Sequence, residues 1–155
     1  MSAPNPRIKV IAAQTSVATF RAEDCADPDF FIFGTVGSGL LKFEVVRKLP
    51  GKTSTITGHE FFDAMWAHLG SKVKVIEGSW DNTNPQRVDN LNRFNRATAN
   101  PKVPLDVAAL LATRTGQWAD DLGYTKVSFI LLDPDPQTDP KARGKFTKVI
   151  VHFGM

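Results

Sequence analysis

Cysteine is nearly absent: Cys25 is the only thiol among 155 residues. One thiol excludes an internal disulfide and any zinc site built from several cysteines, and it fits a reducing compartment. Long apolar runs are missing too. None approaches the roughly 18 residues that a membrane-spanning helix needs, so no membrane association is expected. The opening residues, Met-Ser-Ala-Pro-Asn-Pro-Arg, lack the apolar core of an export signal. Histidine is scarce, and His59, His68 and His152 are scattered, which argues against a metal cluster. His59-Glu60 begins like a zinc-protease helix, but Asp63 stands where the second histidine is needed. A zinc deaminase would need two further cysteines. The glycine-rich run from Gly34 to Gly39 lacks the Gly-Lys-Ser/Thr ending of a phosphate loop, and a strand rather than a helix follows it. Neither a metal nor a cofactor is expected.

What is present reads as one globular domain over residues 1–155. Apolar residues make up 42% and charged residues 23%. That balance can bury a core and rules out disorder throughout. Residues 1–7 are expected to be flexible. The net charge is +3. Between Asn84 and Lys102, Arg87, Arg93, Arg96 and Lys102 face Asp89 alone, so this one segment carries an excess as large as the whole chain's. That is either a solvated helix face or a site for a polyanion.

The first third reads as strands: Ile8 to Ala12, Val17 to Arg21, Phe30 to Phe33 and Leu40 to Val46, with a hairpin at Gly34 to Gly39. Thr57 and Glu60 have capping-box spacing, and Phe61, Phe62, Met65, Trp66 and Leu69 follow as a core stripe ending at Gly70 as a left-handed stop. A short strand, Val73 to Ile76, is then ended by Glu77-Gly78-Ser79-Trp80. Asn84-Pro85 caps a second helix to about Thr98, and Pro104 opens a third to Leu122, with Gly123 as its cap. Lys126 to Leu132 is a strand, 133–144 a loop, and Lys145 to Phe153 a closing strand. Strands joined by a loop pair antiparallel. The expected class is α/β-type (α+β): a mixed, largely antiparallel sheet with three helices packed on it and a β-rich first third. Phe62, Met65, Trp66, Leu91, Phe94, Leu111 and Trp118 are the expected core.

Several residues break these patterns. On the second helix Val88, Leu91, Phe94 and Thr98 share one face, and Arg87 and Asn95 lie in or beside it. A buried polar group is costly unless it is hydrogen-bonded, so Asn95 either ties down a strand end or lines a cleft with Arg87 and Asn90. On the third helix Thr115 falls among Val107, Leu111, Trp118 and Leu122. Gly116 costs about 1 kcal/mol relative to Ala there, which signals a break or a close approach by backbone or ligand. Thr113-Arg114-Thr115-Gly116 is therefore a second candidate segment. Glu77 and Trp80 stand just past a strand end, where sheet proteins often display site residues. Trp80 there either stacks on a base or plugs the core.

Gly78-Ser79-Trp80, Asp89-Asn90-Leu91-x-x-Phe94-Asn95, Ala108-Ala109, Thr113-x-Thr115-Gly116-x-x-Ala119 and Leu122-Gly123-Tyr124 together resemble a pattern in C-terminal toxin domains of bacterial polymorphic secreted proteins, the Rhs-type toxins and their relatives. The resemblance covers about Thr57 to Phe153. It departs at Gln117, where lysine often follows the Thr-Gly pair. The resemblance implies a bacterial effector enzyme acting in the cytoplasm, or delivered into a target cell by a specialised system. A neutralising partner protein is a further implied partner. The expected chemistry is metal-independent, ribonuclease-like hydrolysis of RNA or a nucleotide. Arg87 or Arg114 would stabilise phosphate charge, Glu77 or His59 would act as general base, and Asn90 and Asn95 would orient the substrate, with Thr115 also in the expected catalytic set. Trp80, Arg93 and Thr113 complete the expected binding set. Two other readings stand beside it. Ser54-Thr55 with Glu77 faintly resembles an NAD-using ADP-ribosyltransferase or NAD hydrolase, and a non-catalytic protein-binding or assembly module would use the polar faces for a partner.

The basic segment generates a first prediction. If it holds a polyanion, affinity for RNA falls steeply with added salt, because bound counterions are released. Gln at Arg93 and Arg96 then flattens that slope. Salt-independent retention on RNA, read by filter binding, removes the segment as a nucleic-acid contact.

Overall fold

The fold comes from a computed structural model that describes residues 5–14 and 18–155. The expected strand start at Val17 lies outside the described residues, as do residues 1–4 of the expected flexible start. The class is α+β, and the described residues form four helices rather than three. Two compact units divide the chain, Met1–Lys74 and Val75–Met155.

In the first unit, β1 (Ile8–Gln14), β2 (Thr19–Asp24), β3 (Asp27–Gly37) and β4 (Leu40–Val46) pair in that order, every pair antiparallel. The expected hairpin closes in two residues. Ser38 and Gly39 both have positive φ, 51° and 81°, and Gly37 pairs with Leu40. This is the mirror-image turn whose twist suits the flanking strands. A small ladder, β5 (Lys48–Leu49) with β6 (Lys52–Thr53), follows. Alternation along β2 and β3 turns Phe20, Ala22, Phe30 and Ile32 inward. Helix α1 (Gly58–Leu69) covers them with Phe61, Phe62, Met65 and Leu69.

The capping box forms as read: Thr57 accepts from the Glu60 N–H, and Glu60 accepts from the Thr57 N–H. Those bonds, with one from the Asn5 amide, hold the Glu60 carboxyl below the usual glutamate range. The stop at Gly70 differs. Gly70 is right-handed, φ −57°, and continues into a short 3₁₀ turn to Lys72. Glycine is needed there for space, because a β-carbon would lie 2.7 Å from the Trp66 indole. His68, near the helix end, packs its ring on Phe20, and its buried Nε2 has no hydrogen-bond partner among the described residues.

In the second unit, β7 (Val75–Trp80) pairs with β9 (Lys148–Gly154), which pairs with β8 (Lys126–Asp133), again antiparallel. Strand β7 runs on through Glu77 and Trp80, so those residues stand inside a strand and not beyond its end. Helix α2 (Pro85–Thr98) starts as expected, with the Asn84 side chain accepting from the N–H groups of Gln86 and Arg87. Trp80, Leu91, Phe94, Ala108, Ala109, Ala119 and Phe146 fill the core against Val149, Val151 and Phe153. The closing strand begins at Lys148 rather than Lys145, and the 133–144 segment holds one 3₁₀ turn, Pro140–Ala142.

The expected third helix is two. Helix α3 (Leu105–Leu111) ends at Ala112, and α4 (Arg114–Asp121) restarts with Thr113 as its cap. Thr113 donates to Ala109 O at 2.7 Å and accepts from Gly116 N at 3.0 Å, closing one helix and opening the next. The break rotates the apolar stripe. Leu111, expected in the core, is 55% exposed, Val107 is exposed as well, and the buried face is Ala108-Ala109. Trp66 and Trp118 are half-buried rather than core. Gly116 is the contact point: a β-carbon would press on Ala109 O and lie 2.5 Å from Leu110 O.

That geometry opposes propensity. Alanine at a helical glycine ordinarily adds about 1 kcal/mol, whereas overpacking costs about 1–3 kcal/mol. Gly116→Ala is expected to lower the denaturant midpoint. Gly37→Ala, with open space around its position, is expected to leave the midpoint nearly unchanged.

Candidate functional site

Strand alternation sorts the expected site residues onto opposite faces. In β7 Ile76, Gly78 and Trp80 point to the helices, and Val75, Glu77 and Ser79 point away. Trp80 is 2% exposed and packs on Phe94, ring centroids 6.0 Å apart, so it plugs the core and is not displayed for stacking. Glu77 faces the other side. Glu77 and Trp80 therefore do not share one cleft with Asn95 and Thr115, because positions of one parity along a strand share a face and these two differ in parity.

Five expected residues do meet, where α2 crosses the start of α4. Asn90 accepts from the Arg114 N–H at 2.8 Å and donates to Thr115 Oγ1 at 3.3 Å. Asp89 accepts from Arg93 Nε at 3.1 Å and from Arg114 Nε at 3.0 Å. Thr113 and Thr115 are buried beside them. Partial burial pushes the Asp89 carboxyl up, and the two guanidinium groups more than reverse this, leaving it below the usual aspartate range. Asn90 on the second helix and Thr115 on the fourth are thus each other's partners. They tie the second helix to the first turn of the fourth.

Asn95 lies apart from this group. Its Nδ2 donates to Phe146 O at 2.9 Å, and its Oδ1 accepts from Phe146 N at 2.8 Å. This reproduces a strand's hydrogen-bonding pattern with a side chain and pins the segment entering β9. Arg87 pairs with Asp81 at 3.3 Å. Burial raises the Asp81 carboxyl, and Thr83 and Arg87 bring it below the usual range. The basic segment is therefore only half paired. Of its four cations Arg87 and Arg93 have carboxylate partners, while Arg96 and Lys102 are exposed. In the first unit, His59 is exposed and 3.5 Å from Asp63. Ser54 donates to the buried Asp24 at 2.7 Å, and Thr55 accepts from Arg7.

The pair best placed for proton transfer is only half legible in the sequence. Glu77 Oε1 lies 3.0 Å from His152 Nε2, directly across the β7–β9 ladder. Both side chains are mostly shielded, at 16% and 25% exposed. The Phe129 ring lies 5.0 Å from the imidazole, from the opposing position of β8. Sequence reading names Glu77 as a base but leaves His152 as one of three scattered histidines. The usable signal is the alternation Val149-x-Val151-x-Phe153, which leaves His152 on the non-core face. A carboxylate oxygen only accepts, so in this contact Nε2 is the donor, and in the neutral form of the ring Nδ1 would be the acceptor. Among the described residues no group of three or more His, Cys, Asp or Glu side chains is placed to hold a metal ion. No helix there is long and apolar enough to cross a membrane.

Compared with protein-family models, curated proteins and solved structures, the chain finds no match.

The Asn95 contacts generate a prediction. Asn95→Ala leaves the Phe146 N–H and C=O without their partners, at a cost of about 1–3 kcal/mol. Thermal unfolding is expected to shift down by that amount. An unchanged melting curve alongside lost activity would return Asn95 to the site.

Proposed function

We propose that the chain is a toxin-like effector enzyme that cleaves RNA or a nucleotide by proton transfer at the Glu77–His152 pair. The observation that carries this reading is the 3.0 Å contact between carboxylate and imidazole on a face the helices leave alone. A carboxylate that accepts the Nε2–H fixes the tautomer and stabilises the imidazolium that forms during catalysis. In the proposed step, His152 Nδ1 takes the proton of a hydroxyl or water. The freed oxygen attacks phosphorus, the bond to the leaving oxygen breaks, and the imidazolium returns the proton to that oxygen. Phe129 supplies an aromatic surface of the kind that bases stack on. The resemblance to Rhs-type toxin domains supports an effector role. The phosphate-binding roles expected for Arg87 and Arg114 gain no support, because both guanidinium groups are held by carboxylates.

A protein-binding or assembly module is the second reading, favoured by one observation: nearly every polar group singled out in the sequence has a partner inside the fold. Induction of the chain in bacteria separates the two readings. Wild type is expected to arrest growth, and His152→Ala is expected to restore it at equal expression with an unchanged circular-dichroism spectrum. Glu77→Gln is expected to reduce cleavage of RNA by about 10²-fold or more, the scale of positioned acid–base catalysis. Vigorous growth with wild type, or arrest by a folded His152→Ala variant, would sink the enzymatic reading.

A further inference from the structure

Among the described residues strand β8 pairs with β9 on one side only, so its other edge presents backbone groups outside any ladder. Such an edge is a ready template for another strand. The side chains along this one are self-complementary. Between Val127 and Phe129 the register with β9 shifts by one residue, a bulge at Ser128. Lys126 pairs with Gly154, Phe129 with His152, Leu131 with Ile150 and Asp133 with Lys148. Alternate positions of β9 share a face, so Lys126, Phe129, Leu131 and Asp133 all lie on one face of β8. Without the bulge, Lys126 would sit on the opposite face from Asp133.

We infer that β8 is a homodimer interface, pairing antiparallel with β8 of a second copy about a two-fold axis at Ile130. This register sets Lys126 opposite Asp133 of the second copy, Phe129 opposite Leu131, and Ile130 opposite itself. Each ion pair occurs twice, as two-fold symmetry requires of a surface that binds itself. Phe129 and Leu131 are 44% and 41% exposed, large apolar side chains on an open edge. A lysine and a bulge usually discourage edge pairing. Here the lysine sits at one end and an aspartate at the other, so self-pairing neutralises both charges. Beside the edge runs an open groove of about 510 Å³, lined by Leu105, Asp106, Val127 to Ile130 and Arg143. The groove gives the added strand's core-facing side chains a place to lie.

The interface shares Phe129 with the proposed site but does not rest on the catalytic reading, and its test is oligomeric state. The full chain, measured by light scattering over rising concentration, is expected to reach twice its 17.0 kDa mass. Lys126→Glu sets a carboxylate against Asp133 at both ends and is expected to weaken the dimer by about tenfold or more. Combining it with Asp133→Lys reverses both charges and is expected to restore association. Far-UV circular dichroism checks that each variant folds. A mass of one chain at every concentration would overturn the proposal. So would a dimer indifferent to Lys126→Glu, or one broken by Val10→Glu on β1, the exposed edge strand of the first unit.

Discussion

Along β7, Ile76, Gly78 and Trp80 turn to the helices while Glu77 turns away, and most of the second unit depends on that alternation. A strand offers each residue one of two faces and nothing between. Placing Trp80 against Phe94 commits Glu77 to the face where His152 projects from the neighbouring strand. The tryptophan also dictates the glycine two residues before it, since a β-carbon at Gly78 would lie 2.8 Å from the indole ring. The Trp80 core and the Glu77–His152 contact are two consequences of one register. A shift of one residue would bury the carboxylate beneath the helices and expose the largest core side chain.

The helix layer is held by polar ties more than by a continuous apolar stripe. Helix α2 contributes Leu91, Phe94 and Thr98 to the interior and uses Asn84, Asp89, Asn90 and Asn95 for hydrogen bonds. The Asn84 and Asn95 bonds serve part-buried backbone groups at a helix start and a strand entry, while those to Arg114 lie in solvent. Orphaned buried groups cost about 1–3 kcal/mol, so such ties fix geometry even where their net gain is small. The α3–α4 break follows the same rule. Thr113 closes the turn on both sides, and Gly116 lets the two helix ends approach within the space of a missing methyl.

Signals that act over a few residues are the legible ones. The capping box at Thr57, the Asn84-Pro85 start, the Ser38-Gly39 turn and the strand beginning at Lys126 depend on nearest neighbours and can be read from types and spacing. Polar intrusions at Asn90, Asn95 and Thr115 are also visible, as is the principle that buried polar groups must share partners. Which partners they share is not, because Phe146 is 51 residues from Asn95 and Arg114 is 24 from Asn90. The apolar stripe through Leu111 misleads for a related reason. One continuous helix and two helices joined at a threonine cap have the same composition, and a turn of only two or three residues redirects the face. His152 escapes notice because its meaning arises across a ladder, 75 positions from Glu77.

Pairing within the fold also decides what the charges are free to do. Counted along the sequence, the stretch from Arg87 to Lys102 is a cationic patch. In space Asp81 and Asp89 reach into it, and Asp89 also holds Arg114 from another helix. A guanidinium already donating to a carboxylate must give up that bond to grip a phosphate, so its gain on binding is a difference between two similar contacts. The exposed Arg96 and Lys102 carry no such cost, yet two cations attract an anion weakly in water at physiological salt. Recognition of a phosphate substrate, if it follows the Glu77–His152 pair, therefore has to draw on the face where that pair lies. There Lys126 is one ladder step from Phe129, with Gly154 between it and β7, so an ammonium, an aromatic ring and an imidazole stand on adjacent strands.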